Sequence, residues 1–518
     1  MSCSLIFRLL AAASLGLLGA CTTLGPDFNP PASPELQHWD ERLYGLAMPG
    51  AREEAALETW WQVFHDPVLE QLIEVAKQNN LQLRLAGLRI LQARALLGIA
   101  GAGLYPQSRL ASGDLTYLNQ QNHGGSGESS KDYVNFQAGL AVGWELDFWG
   151  KFRRGIESAD AAFFASLEAQ RAMQVLVNAQ VASLYFSWRV LGERIGLAHK
   201  NAKLQKRSLE ITTEQFHAGN SSELDLQQAK TQYLSTLATI PQLELQQQQT
   251  LNALALSLGR SPGDLPELGN GKYELPRIDT QVVSGIPSRL LLRRPDVHAA
   301  AWAVAAQSAQ IGIAEADLYP ALSLLGSLGW SSSTLAGMPD SGLLAIGPSL
   351  RWNIFDQGLI RNNVRLQDAR LQETLAQYRQ TVLAAAGEID NAAISVVKTA
   401  EQEKILEQAV ATAERALEIA NINYLEGYTD FQRVLDAQRS LFTQNDRLAS
   451  IRGENIAYLI ALYKGIGGGW SPATLDDAVP PATRELMNRR TDWGGLLDQP
   501  LPRRLPSPVP EPVSSESP

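Results

Sequence analysis

Residues 133–150 read Tyr133-Val-Asn-Phe-Gln-Ala-Gly-Leu-Ala-Val-Gly-Trp-Glu-Leu-Asp-Phe-Trp-Gly150, and this stretch decides the architecture. Its even positions Val134, Phe136, Ala138, Leu140, Val142 and Trp144 oppose Tyr133, Asn135, Gln137, Gly139, Ala141 and Gly143. Such alternation of period two marks a strand with one apolar face. The pattern stops at Trp144. From Gly150 to Phe216 there is no proline, and after Gly150 the only glycines are Gly155, Gly192 and Gly196. The strand therefore runs into a helix of about 67 residues, which at about 1.5 Å per residue spans roughly 100 Å.

The chain repeats this unit at a constant spacing of 208 residues: Trp144 answers Trp352, Gly150 answers Gly358, Phe216-His-Ala-Gly219 answers Tyr424-Leu-Glu-Gly427, and Gly259 answers Gly467. No gap is needed across about 115 residues, so the halves are structurally equivalent. In the second copy Leu344, Ile346, Leu350, Trp352 and Ile354 alternate with Ala345, Gly347, Ser349, Arg351 and Asn353, with Pro348 interrupting. Residues 320–331 alternate more weakly, and residues 107–118 poorly. Gly/Ser-rich stretches at 119–130 and 332–341 suit hairpin loops.

In the second long helix Leu406, Val410, Ala413, Leu417, Ala420 and Tyr424 alternate spacings of four and three, as in a coiled-coil seam. Leu184, Trp188, Leu191 and Ile195 do the same in the first. Gly219 and Gly427 are the hairpin-tip turns. Shorter helices return over 222–259 and 430–466, and Pro241 is expected to kink the first. Helices over 67–103 and 290–318 each run into a Tyr-Pro, Tyr105-Pro106 and Tyr319-Pro320. Each half is thus a helical column pair topped by a β-hairpin. Four strands cannot close a transmembrane barrel, since these begin at about eight strands. The chain must oligomerise to close one.

Arg8, the apolar run Leu9 to Leu18, and Leu18-Gly-Ala-Cys21 read as an export signal ending in a lipobox. Cys21 would be lipidated and become the mature N-terminus. The only other cysteine, Cys3, lies inside the signal, so the mature chain has no internal disulfide. No apolar run long enough to span a membrane is read after the signal, which leaves closed strands as the means of crossing. The chain carries 44 Lys+Arg against 54 Asp+Glu, a mildly acidic balance that gives no support to nucleic-acid binding. The six histidines show no close metal-ligand spacing, and no nucleophile elbow is present. Neither a catalytic site nor a cofactor is expected.

The organisation read from these signals is a signal peptide (1–20), a lipidated extension (21–66), a first repeat (67–260, hairpin 105–148), an equatorial connector (261–289), a second repeat (290–470, hairpin 319–355) and a Pro-rich tail (471–518), either equatorial or disordered.

Five local motifs resemble the TolC-like outer-membrane efflux proteins, in particular their lipoprotein branch. They are Cys21 with Gly25-Pro-Asp-Phe-Asn-Pro-Pro31, Trp60-Trp-Gln-Val-Phe-His-Asp-Pro-Val-Leu69, Trp144-Glu-Leu-Asp-Phe-Trp-Gly-Lys151, Leu290-Leu-Leu-Arg-Arg-Pro-Asp-Val297, and Tyr424 to Ala437. Ala301, where that branch often carries Glu, and the C-terminal tail depart from it.

The resemblance implies a homotrimeric outer-membrane β-barrel, four strands per chain, continued by a coiled-coil periplasmic barrel. It implies a passive exit duct for small molecules, with a membrane-fusion adaptor and an inner-membrane pump below. It places Asp436 facing the narrowed tunnel; the repeat counterpart is Gln228. Asp225 stands where the second hairpin has Arg433. Threefold symmetry would gather these acids into an anionic ring; solvated helix charges are the alternative. Tyr424 matches an aromatic that latches the closed end, but Thr429 stands where the latching Arg is expected. A protein-export duct and a lipoprotein scaffold with a helical stalk are the rival readings.

Overall fold

The computed structural model describes residues 22–32, 56–122, 129–268, 275–276, 291–333, 340–502 and 505–509. The signal segment, Cys21 and most of the connector lie outside them.

Helix α1 (Pro67–Asn79) and helix α2 (Leu81–Ala102) replace the single helix expected over 67–103. The break is Asn80, in an extended conformation. Its Oδ1 accepts from Gln82 N at 2.8 Å and Leu83 N at 3.1 Å, capping α2. By length and composition α2 could cross a membrane, which corrects the expectation that no such segment follows the signal. It carries Arg84, Arg89 and Arg94, and it packs on its neighbour α3 (Lys151–His217).

Strands β1 (Ser108–Asn122), β2 (Ser129–Glu145), β3 (Ala321–Ser332) and β4 (Ser341–Arg351) form one antiparallel sheet in that order. Directly opposed residues share a face. One face carries the rows Ala111–Leu140–Leu328–Leu344 and Leu115–Phe136, with Val142–Gly326–Ile346 beside them. The other carries Asp114–Gln137–Ser331–Ser341 and Thr116–Asn135. Leu110 and Leu118 sit on this second face, which is why β1 alternates poorly. Leu115, Leu140, Leu344 and Ile346 are all exposed in the single chain.

Helices α3 and α6 (Leu359–Leu425) have 67 residues each, and their returns α4 (Glu223–Ser257) and α7 (Phe431–Gly465) have 35 each. Helix α4 runs on through Pro241. Helix α5 (Pro295–Ala316) begins with proline in its first turn, a position that needs no amide donor. Near the strands the columns pack in the order α2–α3–α5–α6; towards the tips the order is α4–α3–α7–α6. The short helices meet end to end. Asn80 Nδ2 donates to the Ser257 carbonyl at 2.7 Å, and Arg294 donates to the Gly465 carbonyl at 2.7 Å. Positions 257 and 465 are repeat equivalents. Arg294 also bonds Asp296 and Glu388, so its buried charge is matched.

The main core lies at this level. Trp60 stacks on Tyr463 with centroids 5.3 Å apart, and Phe64 meets Phe186 at 4.7 Å. Buried Asp66 caps α1 through Val68 N and Leu69 N and takes the Tyr185 hydroxyl at 2.9 Å and Arg189.

The described part of the tail is packed rather than loose. Short helices α8 (Leu475–Ala478) and α9 (Pro481–Arg490) belong to a strap whose Leu475, Val479, Leu497 and Leu501 pack on Ile90, Leu91, Phe163 and Leu167. Arg94, largely buried, donates to the carbonyls of Leu496, Gln499 and Pro500 at 3.0, 2.9 and 3.1 Å. Apolar residues spaced irregularly among prolines carry no period, so the sequence concealed this packing.

Candidate gate at the hairpin tips

Each long helix ends in the same turn. Asn220 N bonds the Gln215 carbonyl and Gly219 N the Phe216 carbonyl; Tyr428 N bonds Asn423 and Gly427 N bonds Tyr424. This is the Schellman arrangement, and it needs a left-handed residue. Gly219 (φ 80°) and Gly427 (φ 79°) supply it.

The tips then diverge. Ser222 caps α4, with its Oγ accepting from Asp225 N at 3.2 Å. The Asp225 carboxylate accepts in return from Ser222 N and from the Ser221 and Ser222 hydroxyls. Asp225 is therefore half of a capping box. Position 433 is its counterpart and holds Arg433, which cannot accept. Asp430 occupies the cap of α7 without a side-chain bond to the helix. The Thr429 hydroxyl is buried without a partner among the described residues. The second tip is held by fewer local bonds than the first.

Asp436 is exposed one turn further on, accepting only from Gln432 Nε2 at 3.0 Å among the described residues. It and Asp225 lie on different hairpins and share no hydrogen-bond partner among the described residues. Arg433 is exposed and makes no ion pair with either among the described residues.

Tyr424 bridges the hairpins. Its hydroxyl donates to Gln215 Oε1 at 2.5 Å, and its ring meets Phe431 at 5.2 Å. Burial first, and the Asp225 charge second, hold its phenol above the ordinary 10. Further links between the hairpins are Gln438 to Ser208 at 2.8 Å, Arg439 to Gln232 at 2.5 Å and Arg194 to Asp446 at 2.8 Å. Sequence reasoning missed Gln215, since a Gln four residues before the tip glycine carries no motif. The Ser222-Glu-Leu-Asp225 cap signature was there to be read.

At the other end of the columns, Trp144 Nε1 donates to the Leu104 carbonyl and Trp352 Nε1 to the Leu318 carbonyl. Asp147 caps α3 through Phe152 N and Arg153 N, and Asp356 caps α6 through Gly358 N and Ile360 N. The N-terminal segment also ends here. Leu24 N bonds the Trp149 carbonyl, Thr23 lies against Gly150, and Arg154 grips the Leu24 and Gly25 carbonyls and Asp27.

The sequence model of the family described as outer membrane efflux protein matches residues 72–260 and 286–468. The pyoverdine export outer membrane protein OpmQ of Pseudomonas putida is 32% identical over 470 residues, covering 88% of this chain and 96% of that protein. The cation efflux system protein CusC of Escherichia coli is 30% identical over 463 residues, covering 88% of this chain and 97% of that protein. The outer-membrane channel OprN superimposes with a TM-score of 0.76 at 31% identity, over 86% of this chain and 99% of that one. The chain belongs to the outer membrane efflux protein family.

Proposed function

We propose that three copies of this chain close one barrel and one helical tunnel. The assembly serves as the passive outer-membrane exit duct of a tripartite efflux pump, with a periplasmic adaptor and an inner-membrane pump docked below. The observation that carries this reading is the sheet. It has four strands, both edges β1 and β4 are unpaired within the chain, and one face is apolar and exposed. A long unpaired edge invites another strand, and an apolar outer face needs lipid. The helical columns are likewise open at α2 and α6. The duct performs no chemistry. The relatives named for pyoverdine export and cation efflux support small-molecule cargo.

Cys21 is the lipid anchor in this reading. Support comes from Thr23 and Leu24, which sit against Gly150 and Trp149 at the foot of the barrel. The chain thus leads back towards position 21 from the level where the inner leaflet would begin.

The test is to extract the chain from outer membranes in mild detergent, measure its mass, and record conductance in planar bilayers. A conducting trimer that retains an adaptor protein is expected. A monomer without conductance would overturn the reading. Palmitate labelling should follow the wild type and be lost in Cys21→Ser.

A further inference from the structure

A groove of about 500 Å³ crosses the middle of α3, floored by Met173, Leu176, Ala457, Ile460 and Ala461, with Lys464 at its rim. Lys464 is the one charged side chain among its lining residues. Volume and lining are those of ordinary small-molecule sites, apolar with few polar groups. All its walls come from one chain, from α3 and α7 with Gln82 of α2.

The groove faces the bore, on the duct reading above. Two terminal segments clothe the opposite side of α3. Trp470 lies under Arg171 at 4.7 Å, Ser471 N donates to Gln174, and Asn178 donates to the Gly469 carbonyl. Phe28 packs beside Ala161 and Phe164. A segment leading to a lipid-anchored Cys21 must lie outside the tunnel. Residues 173, 176 and 180 lie roughly half a turn round the helix from 171, 174 and 178. The bore stripe then recurs every seven residues as Ala162, Ala169, Leu176 and Ser183, with Leu176 its only large apolar side chain; Leu176 is 49% exposed.

The second repeat lacks the feature. The counterparts of Met173, Leu176, Ala457 and Ile460 are Thr381, Ala384, Gln249 and Asn252, and Leu256 answers Lys464. One half has an apolar floor with a basic rim where the other places Thr381, Gln249 and Asn252 on the floor and Leu256 at the rim, an asymmetry that equivalent packing does not require.

We propose that this groove is a cargo-contact site of the duct for amphipathic organic anions. The apolar body lies on Met173, Leu176 and Ile460, and the carboxylate or sulfonate meets Lys464. Each trimer would hold three such sites.

The test uses nanodisc-embedded trimer titrated calorimetrically with naphthalene-2-carboxylate and, separately, 2-naphthylmethylammonium, with empty nanodiscs as reference. The carboxylate should bind at least about fivefold more tightly than the ammonium, a difference near 1 kcal/mol. Leu176→Gln should weaken the carboxylate by a similar factor, and Lys464→Gln should erase the preference. Leu176 is exposed, so its replacement leaves the fold intact. Heat equal to that of empty nanodiscs, equal binding of both probes to wild type, or unchanged binding to Leu176→Gln would overturn the site. Single-channel conductance of the same trimers separates the causes. Conductance without binding sinks the groove alone, whereas no conductance sinks the duct reading beneath it.

Discussion

The Tyr424 hydroxyl donates to Gln215 Oε1 at 2.5 Å, joining the last turns of the two long helices across the repeat boundary. It is the link nearest the tips between hairpins that otherwise meet through Ser208, Gln232 and Arg194. A net hydrogen bond contributes about 0.5–1.5 kcal/mol. Tyr424→Phe and Gln215→Leu should each raise the open probability of single channels by about two- to tenfold. The double variant should add little to either single change, because both remove the same bond.

The same link has a defined pH range. The Tyr424 phenol is held above 10, so it stays protonated and donating at lower pH. A raised pKa gives a contribution fully present below the ordinary value and lost as pH rises through the folded one. Conductance should therefore show no Tyr424-dependent change between about pH 6 and 9, and opening should begin only above pH 10. A Tyr424-dependent opening at neutral pH would contradict the assignment.

Asp225 and Asp436 should separate. Asp225→Asn removes acceptor capacity from a capping box and should loosen the first tip by about 1 kcal/mol, read as faster proteolysis near Gly219. Asp436→Asn deletes an exposed carboxylate that the helix does not use. It should lower the cation selectivity of the pore and its block by multivalent cations, with no change in stability. If the two variants alter selectivity equally, both acids line the constriction.

Register fixes a pair of barrel predictions. Leu140 lies in the row Ala111–Leu140–Leu328–Leu344, and Gln137 lies opposite Asp114 and Ser331. Leu140→Arg should cost about 2–4 kcal/mol and deplete assembled trimer. Gln137→Arg meets the Asp114 carboxylate across the ladder and should assemble nearly normally. Comparing trimer yields on native gels decides between the faces.

Arg94 makes the C-terminal strap indispensable. Truncation after Trp470 would remove the three carbonyls that Arg94 binds and uncover Ile90, Leu91, Phe163 and Leu167. Exposing a buried apolar side chain costs about 1.5–3 kcal/mol, so truncated trimer should melt at lower temperature. Arg94→Leu strands those carbonyls and should destabilise the full chain more than the truncated one.

What the sequence made legible was whatever repeats or alternates. The 67-residue helices, the tip glycines and the sheet faces all follow from a fixed spacing or a period, and each is present within a residue or two. Features without a period stayed hidden. The break at Asn80 rests on one side chain that caps the helix leading to the strands and satisfies the last carbonyl of the helix returning from the tip. The strap depends on scattered leucines among prolines. Threefold symmetry draws Asp225 into a ring reading but does not show that its nearest donors are its own neighbours, Ser221 and Ser222.

The equal length of α3 and α6 works as a ruler. Both start at a left-handed glycine at the foot of the barrel and end at a left-handed glycine at the tip. One extra residue in either would displace its tip by about 1.5 Å and rotate it by about 100°. Tyr424 and Gln215 would then miss each other. Reach can change only in matched steps. Seven residues added to both helices and their returns would lengthen the duct by about 10.5 Å and keep every facing pair. The depth of periplasm this protein bridges is thus written twice in its sequence, and the two copies must agree.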